Sequence, residues 1–267
     1  MSLSLKLYSL WSAAAGAALL LWASAGHAAW TGAGQESLFL YALALWHGIY
    51  AIWFWKGRTL AAFARATVPG RLAMAVIYLA AAFLLQSSGA PLPENLRAGF
   101  LAYLLAQAAA DIAGALVTQF GLRAEARGSE AAAHAKLKVE EQNRLLFAAY
   151  MCGVSAWVLL GTESFLAFFH LPSTVFTGAQ GAASLGPIHL LGAQILLLAY
   201  FNLVAVRNRL TPLVDAGVRG GLFTCVFFIA LVALGLLHPL TLLLPMVDLL
   251  SVVWIFLSRR LAARTAL

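Results

Sequence analysis

Two carboxylates stand where a carboxylate is costly. Asp111 and Asp248 each lie near the middle of an apolar stretch long enough to cross a bilayer. A charged side chain at that depth costs about 2.5–3.5 kcal/mol on insertion scales, so it is kept for a reason. Other polar groups share the depth. Gln107 is one helical turn before Asp111 and on its face, and Ser251 is one turn after Asp248. His47, in Leu45-Trp46-His47-Gly48, sits at mid-depth in a second stretch, and Gln194 and Asn202 sit in a third. A membrane carboxyl beside an imidazole and amides can donate a proton, carry one across or bind a cation. The plainer alternative is that each polar group hydrogen-bonds a neighbouring helix and fixes packing. Glu163, by contrast, falls at the outer edge of its stretch and reads as an interface residue.

Other chemistries lack their residues. Neither a Gly-rich phosphate loop nor a GxSxG turn is present. Haem ligation wants His pairs at depth, and His47 is the deep one of six His. His27, His170, His189 and His238 gather towards one side with no metal spacing, and His134 lies in a loop. Cys152 and Cys225 sit in apolar stretches, as small buried hydrophobes do. The sequence thus calls for neither a metal nor a cofactor, and its catalytic residues, if any, stay unassigned.

The elements that carry these groups follow from composition. The chain is 63% hydrophobic and 10% charged, with a mean hydropathy of +0.87. A soluble domain carries about 25% charged residues. The bilayer is therefore the expected solvent, and the expected fold is an all-α integral membrane protein. Spans fall near 7–28, 37–55, 72–87, 98–120, 145–166, 186–206, 219–237 and 239–258. The net charge of +7 does not imply nucleic acid, because the bases flank apolar segments.

Sixteen of the 17 Lys and Arg residues fall on one side of these eight spans, and Arg97 alone falls on the other. Lys6, Lys56, Arg58, Arg65 and Arg71, then the bases from Arg123 to Arg144, all count towards that side. The positive-inside rule puts it, and both termini, in the cytoplasm of a bacterial-type inner membrane. Trp53 and Trp55 beside Lys56 suit an interface. The first span has a basic start and a small-residue stretch at Ala23–Ala28, as a cleaved signal does. Its counterpart in the second half is retained, so it is expected to stay.

That counterpart belongs to an internal repeat. Lys6 and Arg144 open two halves. Trp30-Thr31-Gly32-Ala33 returns as Phe176-Thr177-Gly178-Ala179, Ser37-Leu38 as Ser184-Leu185, Tyr50 as Tyr200 and Arg58 as Arg209. Asp111 precedes Arg123 as Asp248 precedes Arg260. The expected organisation is a first four-helix repeat at 1–121, a cytoplasmic linker at 122–143 and a second repeat at 144–267. An even number of spans makes the copies parallel. Pseudo-symmetry would then bring Asp111 and Asp248 towards one another. Small residues such as Ser12 and Gly16, or Ala110 and Gly114, let helices approach closely.

Each half has bases after its second helix, Pro69-Gly70-Arg71 or Arg219-Gly220-Gly221 opening its third, and an Asp in its fourth. In this it resembles the small four-helix bacterial membrane proteins of the DoxX-like and BphX-like kind, here in tandem. The resemblance implies the fold and no catalytic motif; no motif of the membrane terpene cyclases is present. The sequence reading is a module that binds or transports a small lipophilic or cationic molecule in an intramembrane acidic pocket. Asp111, Asp248, His47, Gln107 and Asn202 are its candidate ligand-binding residues. The alternatives are a membrane enzyme acting on an isoprenoid or lipid by acid catalysis, or an accessory subunit with a protein partner.

Overall fold

The computed structural model describes residues 2–29, 36–87, 94–125, 139–171 and 187–265, and among them there is helix and no strand. Helices α1 (Ser2–Ala29), α2 (Glu36–Gly57), α3 (Ala61–Ser87) and α4 (Glu94–Glu125) make the first half. Helix α5 (Val139–Leu160), the short α6 (Thr162–Phe168), α7 (Pro187–Arg207), α8 (Thr211–Ala233) and α9 (Leu243–Thr265) make the second. A 3₁₀ turn, Pro239–Leu242, leads into α9.

Seven of these helices are long and apolar enough to cross a membrane. Helix α2 has 22 residues and carries no Asp, Glu, Lys or Arg between Glu36 and Lys56. Helices are what a bilayer permits, because each satisfies its own backbone hydrogen bonds. The outward faces agree: Leu21, Val76, Phe83, Val226 and Leu250 are exposed, where lipid would cover them. The chain is an all-α protein of multi-pass membrane type.

Helices pack in antiparallel neighbours: α1 with α2, α3 with α4, α5 with α7, and α8 with α9. The pairs are then joined crosswise, α2 to α8 and α3 to α7, while α4 closes on α1 and α9 on α5. Gly16 makes the α1–α2 contact possible, since a Cβ there would lie 3.2 Å from the Cβ of His47 and 3.3 Å from the Ala44 carbonyl. Phe54, Phe63, Phe201 and Trp53 fill the centre between the halves. The α2–α3 and α7–α8 connections are tight turns at 58–60 and 208–210, and Arg209 enters the left-handed region at φ 52°.

Several expectations need correction. The third helix starts at Ala61, not near 72, so Pro69-Gly70-Arg71 lies within α3 and does not open it. The seventh span likewise starts at Thr211, not near 219. Arg71 is 2% exposed and Arg144 3%, so neither is a loop base. Hydropathy ends a span at its last charge, whereas a buried partner lets the helix carry the charge inward. Helix α4 runs to Glu125 and α5 begins at Val139, which narrows the expected linker from both ends. Its middle, with His134, lies outside the described residues, as do Trp30–Ala33, Phe176–Ala179 and Ser184–Leu185.

The burial pattern sets its own register between the halves. On α1 and α5, Ser4, Leu5, Ser9, Ser12, Gly16 and Leu19 are buried, and so are Asn143, Arg144, Ala148, Met151, Ser155 and Val158 at the same spacings. On α4 and the α9 segment, Leu104, Ala108, Ala115 and Thr118 run parallel to Thr241, Pro245, Val252 and Ile255. On α3 and α8, Phe63, Ala66, Gly70, Met74 and Ala75 run parallel to Leu213, Ala216, Gly220, Thr224 and Cys225. This register keeps Asp111 opposite Asp248. It moves Arg144 from the Lys6 position to that of Leu5. Tyr50 and Tyr200 differ, one buried and the other 36% exposed.

Candidate functional site

The two aspartates have opposite surroundings. Asp111 is 1% exposed and is held from three helices. The Tyr8 hydroxyl on α1 donates to its Oδ1 at 2.6 Å. The Arg71 Nε on α3 lies 3.6 Å from the same oxygen. Gln107, on its own helix, donates to the Tyr8 hydroxyl at 3.2 Å and accepts from the Trp11 indole at 2.9 Å. The Arg71 guanidinium stacks 3.9 Å above the Tyr8 ring and donates to the Ala110 carbonyl at 3.3 Å and to Thr118 at 3.5 Å. It rests on Gly114, where a Cβ would collide with it. Ser4 closes the layer, 2.8 Å from the Thr118 hydroxyl. A carboxylate so enclosed, with its counter-ion in the same fold, has little room for a ligand.

His47 does not join Asp111. Its Nε2 lies 2.8 Å from the Tyr103 hydroxyl, and Tyr103 in turn bonds Tyr78. Gln194 donates to Tyr78 at 2.9 Å, and Tyr50 donates to the Gln194 backbone carbonyl at 2.9 Å. These residues form a buried polar chain linking α2, α4, α3 and α7. It leaves His47 Nδ1 and Gln194 Oε1 unpartnered among the described residues.

Asp248 faces open space. It lines a cavity of about 180 Å³ walled by α2, α5, α6, α7, α8 and α9. The walls are apolar for most of their length, with Trp46, Ile49, Phe227 and Leu191 among them. The polar groups Asp248, Arg144, Asn202 and Thr224 gather towards one end, beside Gly217, Gly220 and Gly221. From Arg144 to Val158, both on the wall, α5 rises about 21 Å at 1.5 Å per residue. That is longer than one leaflet of the hydrocarbon core, about 15 Å.

Among the described residues no hydrogen bond or ion pair reaches Asp248 within the distances that hold Asp111. Arg144 shares the cavity and acts on Asp248 electrostatically, while its Nη2 donates to the Val214 carbonyl at 2.7 Å and its Nη1 to Asn202 Oδ1 at 3.4 Å. It rests on Gly217, as Arg71 rests on Gly114. Next to Asp248, the Ser251 hydroxyl donates to Asn143 Oδ1 at 2.8 Å, and Asn143 donates back to the Ser251 carbonyl at 3.2 Å.

The structure therefore divides the sequence candidates. Asp248 and Asn202 line the cavity; Asp111, Gln107 and His47 do not. The aspartates do not share a pocket, and α4 and α9 are not packing partners. The contact between the halves runs through α2, α3, α7 and α8 instead. Sequence reasoning missed Tyr8, Arg71 and Arg144, and it missed the glycine face of α8, whose signal was the adjacent pair Gly220-Gly221. Elsewhere, the rings of His170 and His238 lie 4.6 Å apart, and Thr162 is 3.3 Å from His189. Among the described residues no three His, Cys, Asp or Glu side chains gather as metal ligands. Glu163 is exposed on α6.

Compared with family models, curated proteins and solved structures, the chain matches none.

Proposed function

We propose that this chain is an eight-span inner-membrane protein, built from two parallel four-helix repeats, that binds a small lipophilic molecule in the cavity of its second half. The cavity wall carries the reading: a long apolar lining that ends at a half-buried carboxylate whose electrostatic partner, Arg144, places its N–H donors on Val214 and Asn202. A ligand with an apolar body and a polar head fits that distribution, since such sites are mostly apolar with a few placed polar groups. The first half, closed by Tyr8 and Arg71, is the scaffold.

Three observations support the duplication. The burial registers of three helix pairs agree. The helix contacts are symmetric, with α2–α8 answering α3–α7 and α1–α4 answering α5–α9. Ser4 donates to the Gly114 carbonyl at 3.2 Å, and in the matching register Asn143 donates to the Ser251 carbonyl at 3.2 Å. The likeness to DoxX-like and BphX-like units is part of the same proposal. So is the orientation with both termini in the cytoplasm, which the remaining exposed bases favour after Arg71 and Arg144 are removed from the count. Helix α1 stays in the bundle, because losing it would strip Tyr8 from Asp111.

The test is native mass spectrometry of the protein extracted gently from its own membrane. A Cβ at Gly220 would find its nearest neighbours at 3.8 Å, on Ile49 and Trp53, so Gly220→Leu fills the cavity without a backbone clash. The wild type is expected to carry a bound small molecule that Gly220→Leu lacks. A wild type that flies empty, or a mass that Gly220→Leu retains, would end the proposal.

A further inference from the structure

The first half shows what the second half lacks. In the burial register, Tyr8 corresponds to Phe147, Arg71 to Gly221, Gln107 to Leu244 and Asp111 to Asp248. Local geometry agrees: a Cβ at Gly221 would lie 3.4 Å from the Cβ of Asp248, just as Arg71 borders Asp111. So the carboxylate is kept while the cation at the Arg71 position is cut back to hydrogen, and Arg144, bonded to Val214 and Asn202, is left to act on it electrostatically. The aromatic ring is also kept, without its hydroxyl. Phe147 and Asp248 both line the cavity, with Gly221 between their helices.

Resting on the binding reading above, we propose that the ligand of this cavity is a lipophilic organic monocation. Its head, an ammonium or guanidinium, takes on Asp248 the place that Arg71 takes on Asp111. In the first half the cation sits 3.9 Å over the Tyr8 ring and 3.6 Å from the carboxylate. A carboxylate beside an aromatic face is the chemistry that recognises such heads, and desolvation strengthens both contacts. The ring of Phe147 supplies the face in the second half. The apolar tail lies along the wall formed by Ile49, Leu191 and Phe227. Arg71 is thus an internal copy of the ligand head, carried by the repeat that no longer binds one. Arg144 stands on the same wall in the place of Leu5, and its charge limits the head to a single positive charge.

The experiment titrates dodecylguanidinium and, separately, the neutral 1-dodecanol into the protein in nanodiscs, with native mass spectrometry counting bound molecules per chain. The wild type is expected to bind one dodecylguanidinium about tenfold or more tightly than the alcohol, the scale of one charge-assisted contact. Asp248→Asn should abolish that preference and keep the alcohol. Gly221→Arg, which restores the internal cation, should exclude dodecylguanidinium. To separate exclusion of the probe from misassembly of that variant, Arg144→Leu is run beside it; removing a like charge should tighten dodecylguanidinium and leave the alcohol unchanged. Equal binding of the two probes, or a preference that survives in Asp248→Asn, overturns the cation inference and leaves the cavity reading standing. If neither probe binds, or if Gly220→Leu binds both as well as the wild type, the cavity reading falls and takes this inference with it.

Discussion

Asp111→Asn tests whether the first carboxylate is structural. The change keeps the shape of the side chain and removes its charge. Arg71, 2% exposed, then keeps its charge with no carboxylate beside it, and Tyr8 loses a 2.6 Å bond to an anion. Breaking a buried pair by neutralising one member costs about 3–5 kcal/mol. A hydrogen bond between membrane helices alone is worth about 0.6 kcal/mol on average. The two accounts of Asp111, ion-pair anchor or ordinary polar packing, therefore differ severalfold. The decisive comparison is the double variant Asp111→Leu/Arg71→Met. Replacing both charges with apolar side chains of similar size is often neutral, so it should recover most of the loss. The same Asn substitution at Asp248 should cost less, because Arg144, which acts on it electrostatically, keeps its bonds to Val214 and Asn202. The assay is reversible unfolding in mixed micelles, read by tryptophan fluorescence and circular dichroism. An Asp111→Asn loss below about 1 kcal/mol, or a double variant as damaged as the single, would refute the argument.

Further outcomes follow from the same geometry. Gly114→Ala drives a methyl group into the Arg71 guanidinium and should cost about 1–3 kcal/mol in the same unfolding assay, whereas Gly153→Ala, with open space around it, should cost nothing measurable. Ser155→Ala removes a 2.9 Å bond to the Gly192 carbonyl and should cost about 0.6 kcal/mol, with no effect on ligand count. Trp46 and Trp53 both face the cavity, so a brominated lipophilic cation should quench tryptophan emission in the wild type and much less in Gly220→Leu. A fluorescent protein fused after Leu267 should mature and glow, and an alkaline phosphatase fused there should stay inactive, if the C-terminus is cytoplasmic.

Much of the fold could be read from the residues, because a bilayer asks simple things of a helix. Apolar runs marked the spans, and the two aspartates stood out against them in matching positions. The beginnings of α3 and α8 could not be read this way. Arg65, Arg71, Asp215 and Arg219 look like loop charges until the structure shows Arg71 facing Asp111, a residue far along the chain, and Arg259 meeting Asp215 at 2.9 Å. Counting bases by side treated Arg71 and Arg144 as topology signals, although both are buried among helices. The candidate site was half legible. Polarity at depth singled out Asp248 and Asn202, which line the cavity, together with Asp111, Gln107 and His47, which do not, because polarity does not reveal whether a partner is present. That depends on which residues other helices bring: Tyr8 and Arg71 to one aspartate, Phe147 and Gly221 to the other. A cavity leaves its trace in small residues, and in an alanine-rich chain three glycines on α8 are easily passed over.

The most direct measurement is a density map of the protein in nanodiscs formed from its native membrane. The account predicts an elongated density along the cavity, its head within hydrogen-bonding distance of Asp248 and beside Phe147, while Asp111 stays closed against Arg71 and Tyr8. A cavity collapsed around Asp248, or a density whose head avoids that carboxylate, would contradict it.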